Sequence, residues 1–408
     1  MKKVLTLCVV LLLLAGCVTA CGRKNDPTSA ATPTVTEPAT PTPTEEPTEE
    51  PTPTPTPEPP EVFLKDVFGA HGMKVGTCLT TQMISSETLS NVVLKHYNSV
   101  TMENDMKPDY ILNKAKSAEA GDIVVEFNKN MITMLDWAKQ NGIAVRGHTL
   151  VWYSQTPQWI FYDNFDDKTG NLVTREVMLK RMESYIKQVF EKLTEAGYAD
   201  LFYAYDVVNE AWMENGTMRD QMNTWYKVIG EDYIWHAFNF AKKYAPANIK
   251  LFYNDYNEQF KTDTLEKFVK TLVDDKGNYL IDGIGFQAHL YTEDKLTDYF
   301  KTVDQLSKLG LTIELTELDV CLGKYNSPKM ASEETLATQG RFYYDLIKGI
   351  FERKDAGTLQ IDSLTFWGIT DSASWRKVYS PLLFDKLYKR KPAFFGAVQM
   401  REYAGFDD

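Results

Sequence analysis

The amino-acid sequence predicts an α/β protein, a (β/α)8 TIM barrel that follows a signal peptide and a disordered linker. Eight short, β-rich apolar segments recur between residues 61 and 408, and helical patterns separate most of them. The sequence also lacks the glycine-rich phosphate loop that follows the first strand of a doubly wound sheet. Repeated alternation without that loop favours the closed barrel.

Residues 1–21 have the pattern of a lipoprotein-type signal peptide. A basic start, MKK, leads into the apolar stretch VLTLCVVLLLLAG, which is too short to span a membrane. Cys17 ends LAGC and Cys21 ends VTAC, and both stretches resemble the bacterial lipobox, in which the cysteine is lipidated. We expect an exported, cell-surface lipoprotein that is anchored through one of these cysteines. Ordinary cleavage with full secretion is the alternative.

Residues 22–60 are predicted to be a disordered linker rich in Pro, Thr and Glu. Its main part, ATPTPTEEPTEEPTPTPTPEPP, has almost no apolar side chains and therefore cannot form a core. Because Pro-Thr repeats favour an extended chain, we expect the linker to hold the following domain away from the cell surface. No second linker interrupts residues 61–408, which we predict to form one barrel domain.

The composition argues against a nucleic-acid-binding protein. The 408 residues include 44 Lys and Arg against 56 Asp and Glu, a formal net charge of −12. Phosphate contacts need clustered basic residues, so a neutral polymer or a small molecule fits this chain better. Cys78 and Cys321 lie outside the signal region, form no CxxC pattern and are expected to be buried thiols. We predict no metal and no cofactor, and we expect a monomer.

Each predicted strand is apolar at its start and polar at its end. The eight strands are MKVGTCL (73–79), NSVTMEN (98–104), AVRGHTLVW (144–152), FYAYDVVNE (202–210), IKLFYNDY (249–256), DGIGFQAH (282–289), LTIELTELD (311–319) and SLTFWGIT (363–370). The segment RMESYIKQVFEKL illustrates the helices between them. One face of it is apolar and comprises Met182, Tyr185, Ile186, Val189, Phe190 and Leu193.

The residues at the ends of the strands are candidates for a functional site. They are Glu103, Asn104, His148, Trp152, Asn209, Glu210, Asn254, Tyr256, Gln287, His289, Glu317 and Trp367. In a barrel these ends meet at one rim, where active sites are built. Burial of so many polar groups requires a ligand or a dense network of hydrogen bonds. For Glu103 and the nearby Lys107, solvated charges at a helix start are the alternative.

Two of these residues, Glu210 on the fourth strand and Glu317 on the seventh, face each other across the predicted barrel. Paired carboxylates carry out glycoside hydrolysis, and in a retaining enzyme they lie about 5–5.5 Å apart. One is an ionised nucleophile, and the other is an acid that later acts as base. Alternation along 311–319 predicts that Glu314 faces the helices or solvent. Asp206 lies deeper than Glu210, so we expect it to be a buried, hydrogen-bonded group.

Two pairs of side chains have alternative interpretations. His148 and His289 could in isolation be metal ligands, but no third His or Cys lies at ligand spacing. Hydrogen bonding to sugar hydroxyls or carboxylates is therefore the favoured role. Trp367 and Trp375 straddle a strand end and its loop, and aromatic rings in such places stack on sugars. Core packing is the alternative for each of them.

The chain contains, in order, the motifs TMENDMKP, RGHTLVWYSQTPQWI, YDVVNEAW, FYNDYN, GIGFQAHL, LTELDV, FWGITDSASW and PLLFD…KRKPAF. This ordered set resembles glycoside hydrolase family 10, the endo-1,4-β-xylanases, over essentially all of residues 61–408. The resemblance implies a (β/α)8 barrel, hydrolysis with net retention, and a cis peptide bond between His148 and Thr149. Tyr205 and Tyr153 depart from the usual Trp and His, which affects details of subsite packing.

The resemblance also implies a role for each site residue. Glu210 would be the acid/base and Glu317 the nucleophile, while Asn209 would hold the sugar 2-hydroxyl and His289 would orient the nucleophile. The other candidates would bind sugars: Lys107, His148, Gln287 and Trp375 at the cleavage subsite, Glu103, Asn104, Trp152 and Trp367 at the next subsite on the non-reducing side, and Asn254 and Tyr256 toward the leaving group.

These observations lead to the interpretation of the chain as a retaining endo-1,4-β-xylanase. It would cut internal bonds of xylan by double displacement, and xylan and xylo-oligosaccharides would be its partners. One alternative is a related retaining β-1,4-glucanase, which would share the two carboxylates but less of the motif set. Another is a non-catalytic surface glycan-binding lipoprotein, against which the intact pair of Glu210 and Glu317 argues.

Overall fold

The computed structural model describes residues 58–406. The predicted signal peptide and residues 22–57 of the predicted linker lie outside the described residues. At the start of the described part, the carbonyl oxygens of Pro59 and Pro60 accept hydrogen bonds from Arg390. No helix within residues 58–406 combines the length and the apolar character that a membrane crossing requires.

The strands of the described part form a closed barrel and one hairpin. They are β1 Lys74–Leu79, β2 Ser99–Met102, β3 Ala144–Trp152, β4 Phe202–Asn209, β5 Lys250–Asp255, β6 Gly283–Phe286, β7 His289–Tyr291, β8 Thr312–Cys321, β9 Gly323–Lys324, β10 Ser327–Pro328 and β11 Ser363–Phe366. One parallel sheet has the order β11-β1-β2-β3-β4-β5-β6-β8-β7, and a further pairing of β11 with β8 closes eight of these strands into a barrel. The prediction of a (β/α)8 barrel is confirmed.

Helices occupy most connections between the strands. The α-helices are α1 Leu64–Ala70, α2 Thr81–Ser85, α3 Glu87–His96, α4 Pro108–Ile111, α5 Lys114–Ala120, α6 Lys129–Asn141, α7 Arg175–Glu195, α8 Thr224–Ile229, α9 Tyr233–Tyr244, α10 Thr262–Val269, α11 Leu296–Leu306, α12 Glu333–Asp355 and α13 Pro392–Ala397. Short 3-10 helices span Gln158–Phe161, Asp163–Phe165, Ala199–Leu201, Glu258–Phe260, Ser307–Leu309, Asp371–Ala373, Lys377–Tyr379 and Arg401–Tyr403.

The longer helices turn their apolar faces toward the hydrophobic core. α7 begins after Thr174, whose side chain accepts a hydrogen bond from the backbone N–H of Val177. All six residues of the apolar face predicted in RMESYIKQVFEKL are buried in α7. Burial of such a face supplies more stability than helix propensity does, which explains why the pattern predicted the helix correctly.

Each barrel strand begins within one residue of its predicted start, but the sixth predicted strand is divided. β6 ends at Phe286, Ala288 has a left-handed φ of 56°, and His289 begins β7. The extended end of β8, which reaches Cys321, pairs with β7. The division moves Gln287 and His289 out of the regular barrel ladder and into the rim.

The prediction for Glu314 is wrong, and an irregularity in β8 is the reason. Between Leu315 and Leu318, β8 advances three residues while β11 advances two, from Leu364 to Phe366. Such a bulge shifts the alternation of side chains between the two faces of a strand. Glu314 therefore points into the barrel, where it is completely buried.

Glu314 belongs to a charged cluster inside the barrel. The guanidinium of Arg146 donates hydrogen bonds to both Glu314 and Asp206, and all three side chains are buried. Burial raises the pKa of Glu314 to about 7, although Arg146 acts in the opposite direction. For Asp206, burial is outweighed by Arg146 and His148, which lower its pKa. The prediction that Asp206 is a buried, hydrogen-bonded group is confirmed.

Replacement of Arg146 tests how much the fold depends on this cluster. We expect Arg146→Met to lower the free energy of unfolding by about 3–5 kcal/mol, because it leaves buried carboxyl groups without their partner. Arg146→Lys keeps the charge but provides one nitrogen in place of two, so its loss should be smaller. Urea unfolding of the purified variants measures both effects.

The control is the exposed ion pair between Lys95 and Glu61, whose side chains are 59% and 68% exposed. Lys95→Met should leave the unfolding midpoint unchanged, because solvent screens such pairs. An Arg146→Met protein as stable as the wild type would contradict the expectation.

Candidate active site

The C-terminal ends of the barrel strands and the loops that follow them bring the predicted site residues together. Glu103, Asn104 and Lys107 follow β2, His148 and Trp152 belong to β3, Asn209 ends β4 and Glu210 follows it, Asn254 belongs to β5 and Tyr256 follows it, Gln287 follows β6 and His289 begins β7, Glu317 belongs to β8, and Trp367 and Trp375 follow β11. The strand-end pattern in the sequence therefore predicted correctly that these residues meet at one rim of the barrel.

Glu210 lies in a left-handed turn directly after β4, with φ of 54°. Its Oε1 accepts a hydrogen bond from Nε2 of Gln287 at 2.9 Å, and its Oε2 accepts one from Nε1 of Trp152 at 3.2 Å. Burial raises the pKa of Glu210, and the charges of Asp255 and Glu317 add to this effect against the hydrogen bond from Gln287. The carboxyl group is thereby biased toward the protonated form that a general acid requires.

Glu317 is buried and faces two nitrogen donors. Its Oε1 accepts a hydrogen bond from Nδ2 of Asn254 at 2.9 Å, and its Oε2 lies 3.4 Å from Nε2 of His289. Nδ1 of His289 lies 3.1 Å from Oδ2 of Asp319, without the alignment of a hydrogen bond. Burial lowers the pKa of His289, but Asp319 and Glu317 outweigh it and raise the pKa to about 9. At neutral pH, His289 is therefore an imidazolium beside both carboxylates.

Three side-chain amides link the two candidate catalytic carboxyl groups. Nε2 of Gln287, which donates to Glu210, also lies 3.4 Å from Oδ1 of Asn209. Nδ2 of Asn254 donates to the same Oδ1 at 3.0 Å and to Glu317. Asn254 has no exposed surface, so these hydrogen bonds are buried. These bonds fix the positions of the two carboxyl groups relative to each other.

One wall of the site is built around Lys107. Its Nζ donates to Oε1 of Gln155 at 2.7 Å and to Oδ1 of Asn104 at 3.1 Å, and lies 5.0 Å from the ring centre of Trp152. Burial lowers the pKa of Lys107, while Glu317 acts in the opposite direction. Lys107 is only 6% exposed, so the alternative of a solvated charge at a helix start is wrong for this residue.

His148 and the two candidate tryptophans line the next part of the site. Nδ1 of His148 lies 3.0 Å from Oδ2 of Asp206, so the predicted hydrogen bonding to a carboxylate is confirmed. The His148–Thr149 peptide bond is cis, as the family resemblance implies. Trp367 is buried and meets His148 edge-on, whereas Trp375 is 61% exposed. Trp367 is therefore in part a packed core residue, whereas Trp375 is not.

Tyr256 and Arg219 form a further part of the rim. Nη2 of Arg219 donates to the hydroxyl of Tyr256 at 2.9 Å, and its Nε donates to the backbone oxygen of Glu210 at 3.2 Å. The guanidinium also lies 4.1 Å from the ring centre of Tyr153. Arg219 thus ties the turn of Glu210 to two tyrosine rings.

Several residues in contact with the site were not predicted. They are Gln155, Arg219, Asp255, Lys261 and Arg376. Gln155 and Asp255 lie inside the motifs RGHTLVWYSQTPQWI and FYNDYN, and Arg376 directly follows FWGITDSASW, so their positions could have drawn attention to them. Arg219 and Lys261 lie outside every motif, and no local pattern marks them.

The described residues, 58–406, contain no group of three His, Cys, Asp or Glu side chains arranged to hold a metal ion. Cys78 and Cys321 are buried and unpaired, as predicted. Burial raises the pKa of both thiols, which keeps them protonated at neutral pH and makes them poor nucleophiles.

Two carboxyl groups in different environments at the C-terminal rim of a (β/α)8 barrel form the arrangement that glycoside hydrolases use. Comparison with known protein families identifies the particular one. The model of glycosyl hydrolase family 10 matches residues 63–400. The chain belongs to this family.

Curated relatives agree with the family assignment. The chain is 37% identical over 339 residues to a bifunctional endo-1,4-β-xylanase of Ruminococcus flavefaciens, a match that covers 81% of this chain and 33% of that protein. It is 35% identical over 340 residues to endo-1,4-β-xylanase B of Butyrivibrio fibrisolvens, which covers 80% of this chain and 51% of that protein. The chain spans about a third to a half of the length of these relatives.

Solved structures share the fold. The GH10 and CBM22-1 modules of endo-1,4-β-D-xylanase 10B from Clostridium thermocellum, complexed with xylohexaose, match with a TM-score of 0.75 and 32% identity over 87% of this chain and 70% of that chain. A mutant structure in complex with xylotriose matches with a TM-score of 0.72 and 32% identity over 83% of this chain and 99% of that chain.

The raised pKa of His289 predicts a specific dependence of stability on pH. The protonated imidazole stabilises the fold fully below its ordinary pKa of 6.5, and this contribution is lost as the pH rises through about 9. We expect His289→Asn to remove about 3 kcal/mol of pH-dependent stability over this interval. Urea unfolding at pH 6, 7.5 and 9 measures it. Glu314 titrates in both proteins, so the difference between them isolates His289. Equal pH dependence in both proteins would contradict the prediction.

Proposed function

We propose that the chain is a retaining endo-1,4-β-xylanase, which hydrolyses internal β-1,4-xylosidic bonds of xylan by double displacement. One observation carries the proposal: the carboxyl groups of Glu210 and Glu317 at the barrel rim have different environments and are linked by hydrogen bonds through three side-chain amides. Glu210 has a raised pKa, whereas Glu317 faces an amide and an imidazolium. Membership in glycosyl hydrolase family 10 and the names of the relatives support the choice of reaction and substrate.

In the first displacement, an oxygen of Glu317 attacks the anomeric carbon of the sugar. The bond between that carbon and the leaving oxygen breaks while the proton of Glu210 moves to the leaving oxygen. The products are a shortened xylan with a new end and a sugar esterified to Glu317. The negative charge of Glu317 is consumed in this step, so the ionised form of Glu210 becomes easier to reach.

In the second displacement, Glu210 acts as a base toward water. It takes one proton from the water while the water oxygen attacks the anomeric carbon, and the ester bond to Glu317 breaks. Both carboxyl groups thereby return to their initial protonation states. The reaction uses only the two carboxyl groups and water, and no cofactor takes part.

The other site residues would bind sugars along the cleft. Asn209 would hold the 2-hydroxyl at the cleavage subsite, a contact that strengthens in the transition state. The remaining predicted binding residues are Glu103, Asn104, Lys107, His148, Trp152, Gln287, His289, Trp367 and Trp375 around the two subsites before the scissile bond, with Tyr256 on the leaving-group side. For the fully buried Asn254, we propose that it acts on the sugar through Glu317 and Asn209.

Activity measurements test the proposed roles. Glu210→Ala should lower turnover of xylan by about 10²–10⁴-fold, the contribution of a general acid/base, and Glu317→Ala should abolish it. Reducing-sugar release from xylan measures both. Glu214→Gln is the matched control, because Glu214 lies four residues after Glu210, is exposed, and within residues 58–406 its carboxylate accepts a hydrogen bond only from Asn257. This variant should retain full activity.

Hydrolysis of the two polymers, together with binding to xylan, separates the alternatives. A folded wild type that hydrolyses carboxymethylcellulose but not xylan would replace the xylanase by a β-1,4-glucanase. A folded wild type that binds xylan and hydrolyses neither polymer would indicate a glycan-binding protein.

We also propose that the protein is exported and held at the outer face of the bacterial membrane by a lipid on Cys17 or Cys21. The apolar region that ends at these cysteines and the proline-rich segment after it support this. A monomer is expected.

Lipid labelling in cells tests the anchor. The wild type should incorporate labelled palmitate and remain with the membrane fraction. Either Cys17→Ala or Cys21→Ala should abolish the label, and the other variant should keep it, which identifies the modified cysteine. Unlabelled wild-type protein in the culture medium would overturn the anchor and favour full secretion.

A further inference from the structure

The backbone that follows Glu210 is held by the side chains of Tyr253 in β5 and of Lys261, which directly precedes α10. Glu210 has a φ of 54°, a conformation that residues with a side chain rarely adopt. The N–H of Ala211, the next residue, donates to the hydroxyl of Tyr253 at 3.1 Å. The carbonyl oxygen of Trp212 accepts a hydrogen bond from Nζ of Lys261 at 2.9 Å. The backbone of Ala211 and Trp212, the two residues after the candidate acid/base, is thus held by side chains from a different part of the chain.

Tyr253 and Lys261 both contact the same buried carboxylate, that of Asp255. Lys261 pairs with Oδ1 of Asp255 at 2.7 Å, and neither side chain has any exposed surface. The hydroxyl of Tyr253 donates to the other oxygen of Asp255, and the backbone N–H of Tyr256 donates to Oδ1 at 2.9 Å. Asp255 therefore orients at once the ammonium and the hydroxyl that hold the backbone after Glu210.

We propose that the buried ion pair of Asp255 and Lys261 is a positioning device that aims the Glu210 carboxyl at the leaving oxygen. This inference rests on the proposed function and adds two positioning residues to it. A role in stability alone explains the pair less well, because desolvation of two charges offsets most of their attraction. Lys261 contacts the carbonyl oxygen of Trp212 directly, and Asp255 orients Tyr253, which contacts the N–H of Ala211.

The charge of Asp255 adds an electrostatic consequence. It disfavours the ionised form of Glu210 and contributes to the raised pKa of that group, after the effect of burial. The other ionisable groups that face Glu210 are Glu317, Lys107, Tyr153, Arg219 and Tyr256. Besides Glu210, the groups that face Asp255 are Lys261, Tyr253, Tyr233, Glu258, Tyr153 and Tyr256.

The test compares two substrates that differ in their need for an acid. Xylohexaose has a poor leaving group and requires a proton from Glu210, whereas 2,4-dinitrophenyl β-xylobioside has a leaving group that departs without one. For Lys261→Met, we expect kcat/KM to fall by about 10²–10³-fold on xylohexaose and by less than about 10-fold on the aryl substrate. Equal falls on both substrates, or no fall, would overturn the proposal.

The pH profile provides a second readout. In Asp255→Asn, the loss of a negative charge should lower the pKa of Glu210, so the basic limb of kcat/KM for xylohexaose should move to lower pH. A limb that stays in place would overturn the electrostatic part. Should a single variant fail to fold, the double variant Asp255→Asn/Lys261→Met replaces it, because it buries no unpaired charge. We expect its kcat/KM to fall more on xylohexaose than on the aryl substrate, by the same ratio as in Lys261→Met.

The control is Glu258→Gln. Glu258 is buried beside the pair of Asp255 and Lys261, and burial raises its pKa to about 8. Neither of its carboxyl oxygens forms a hydrogen bond with residues 210–212. We expect both kcat/KM values to remain near those of the wild type at pH 6. A selective loss on xylohexaose in this variant would overturn the proposal, since any change in the cluster would then have the same effect. A wild type inactive on both substrates would instead refute the proposed xylanase function.

Discussion

The side-chain amide of Asn254 is the point on which the geometry of the site depends. Its Nδ2 donates to Glu317 on β8 and to Asn209 on β4, and its Oδ1 accepts a hydrogen bond from Thr316 at 2.6 Å. The amide cannot rotate without breaking one of these buried bonds. A side chain at Gly285 would come within 2.3 Å of Oδ1, so β6 must present a glycine there. Residues of three other strands, β4, β6 and β8, therefore converge on this amide of β5.

The carboxyl groups of Glu210 and Glu317 have different properties because their buried neighbours differ. Glu210 has negative neighbours, Asp255 and Glu317, and its charged form is disfavoured. Glu317 instead faces the imidazolium of His289, which Asp319 keeps protonated. The low polarizability of the protein interior strengthens both influences relative to water. The acid and the nucleophile of the proposed reaction are thus distinguished by their neighbours, since both are glutamates at strand ends.

The charged residues inside the barrel connect the rim to the core. Arg146 binds Asp206 and Glu314, and Asp206 in turn binds His148, whose ring contacts Trp367. Buried charges are costly unless each is paired, and this requirement restricts how the strands can shift relative to one another. Residues of β3, β4, β8 and the loop after β11 are held in register by this network.

The sequence by itself determined the barrel, the start of every barrel strand and the location of Glu210 and Glu317, because these follow from local apolar patterns and from the polarity of strand ends. Tertiary structure alone decided the rest. The orientation of Glu314 depends on a bulge in β8, which appears only when that strand pairs with β11. The contact of Lys261 with Trp212 joins residues 49 positions apart, and no local pattern records such a distance. The different environments of the two glutamates arise for the same reason, since neighbours from several strands create them.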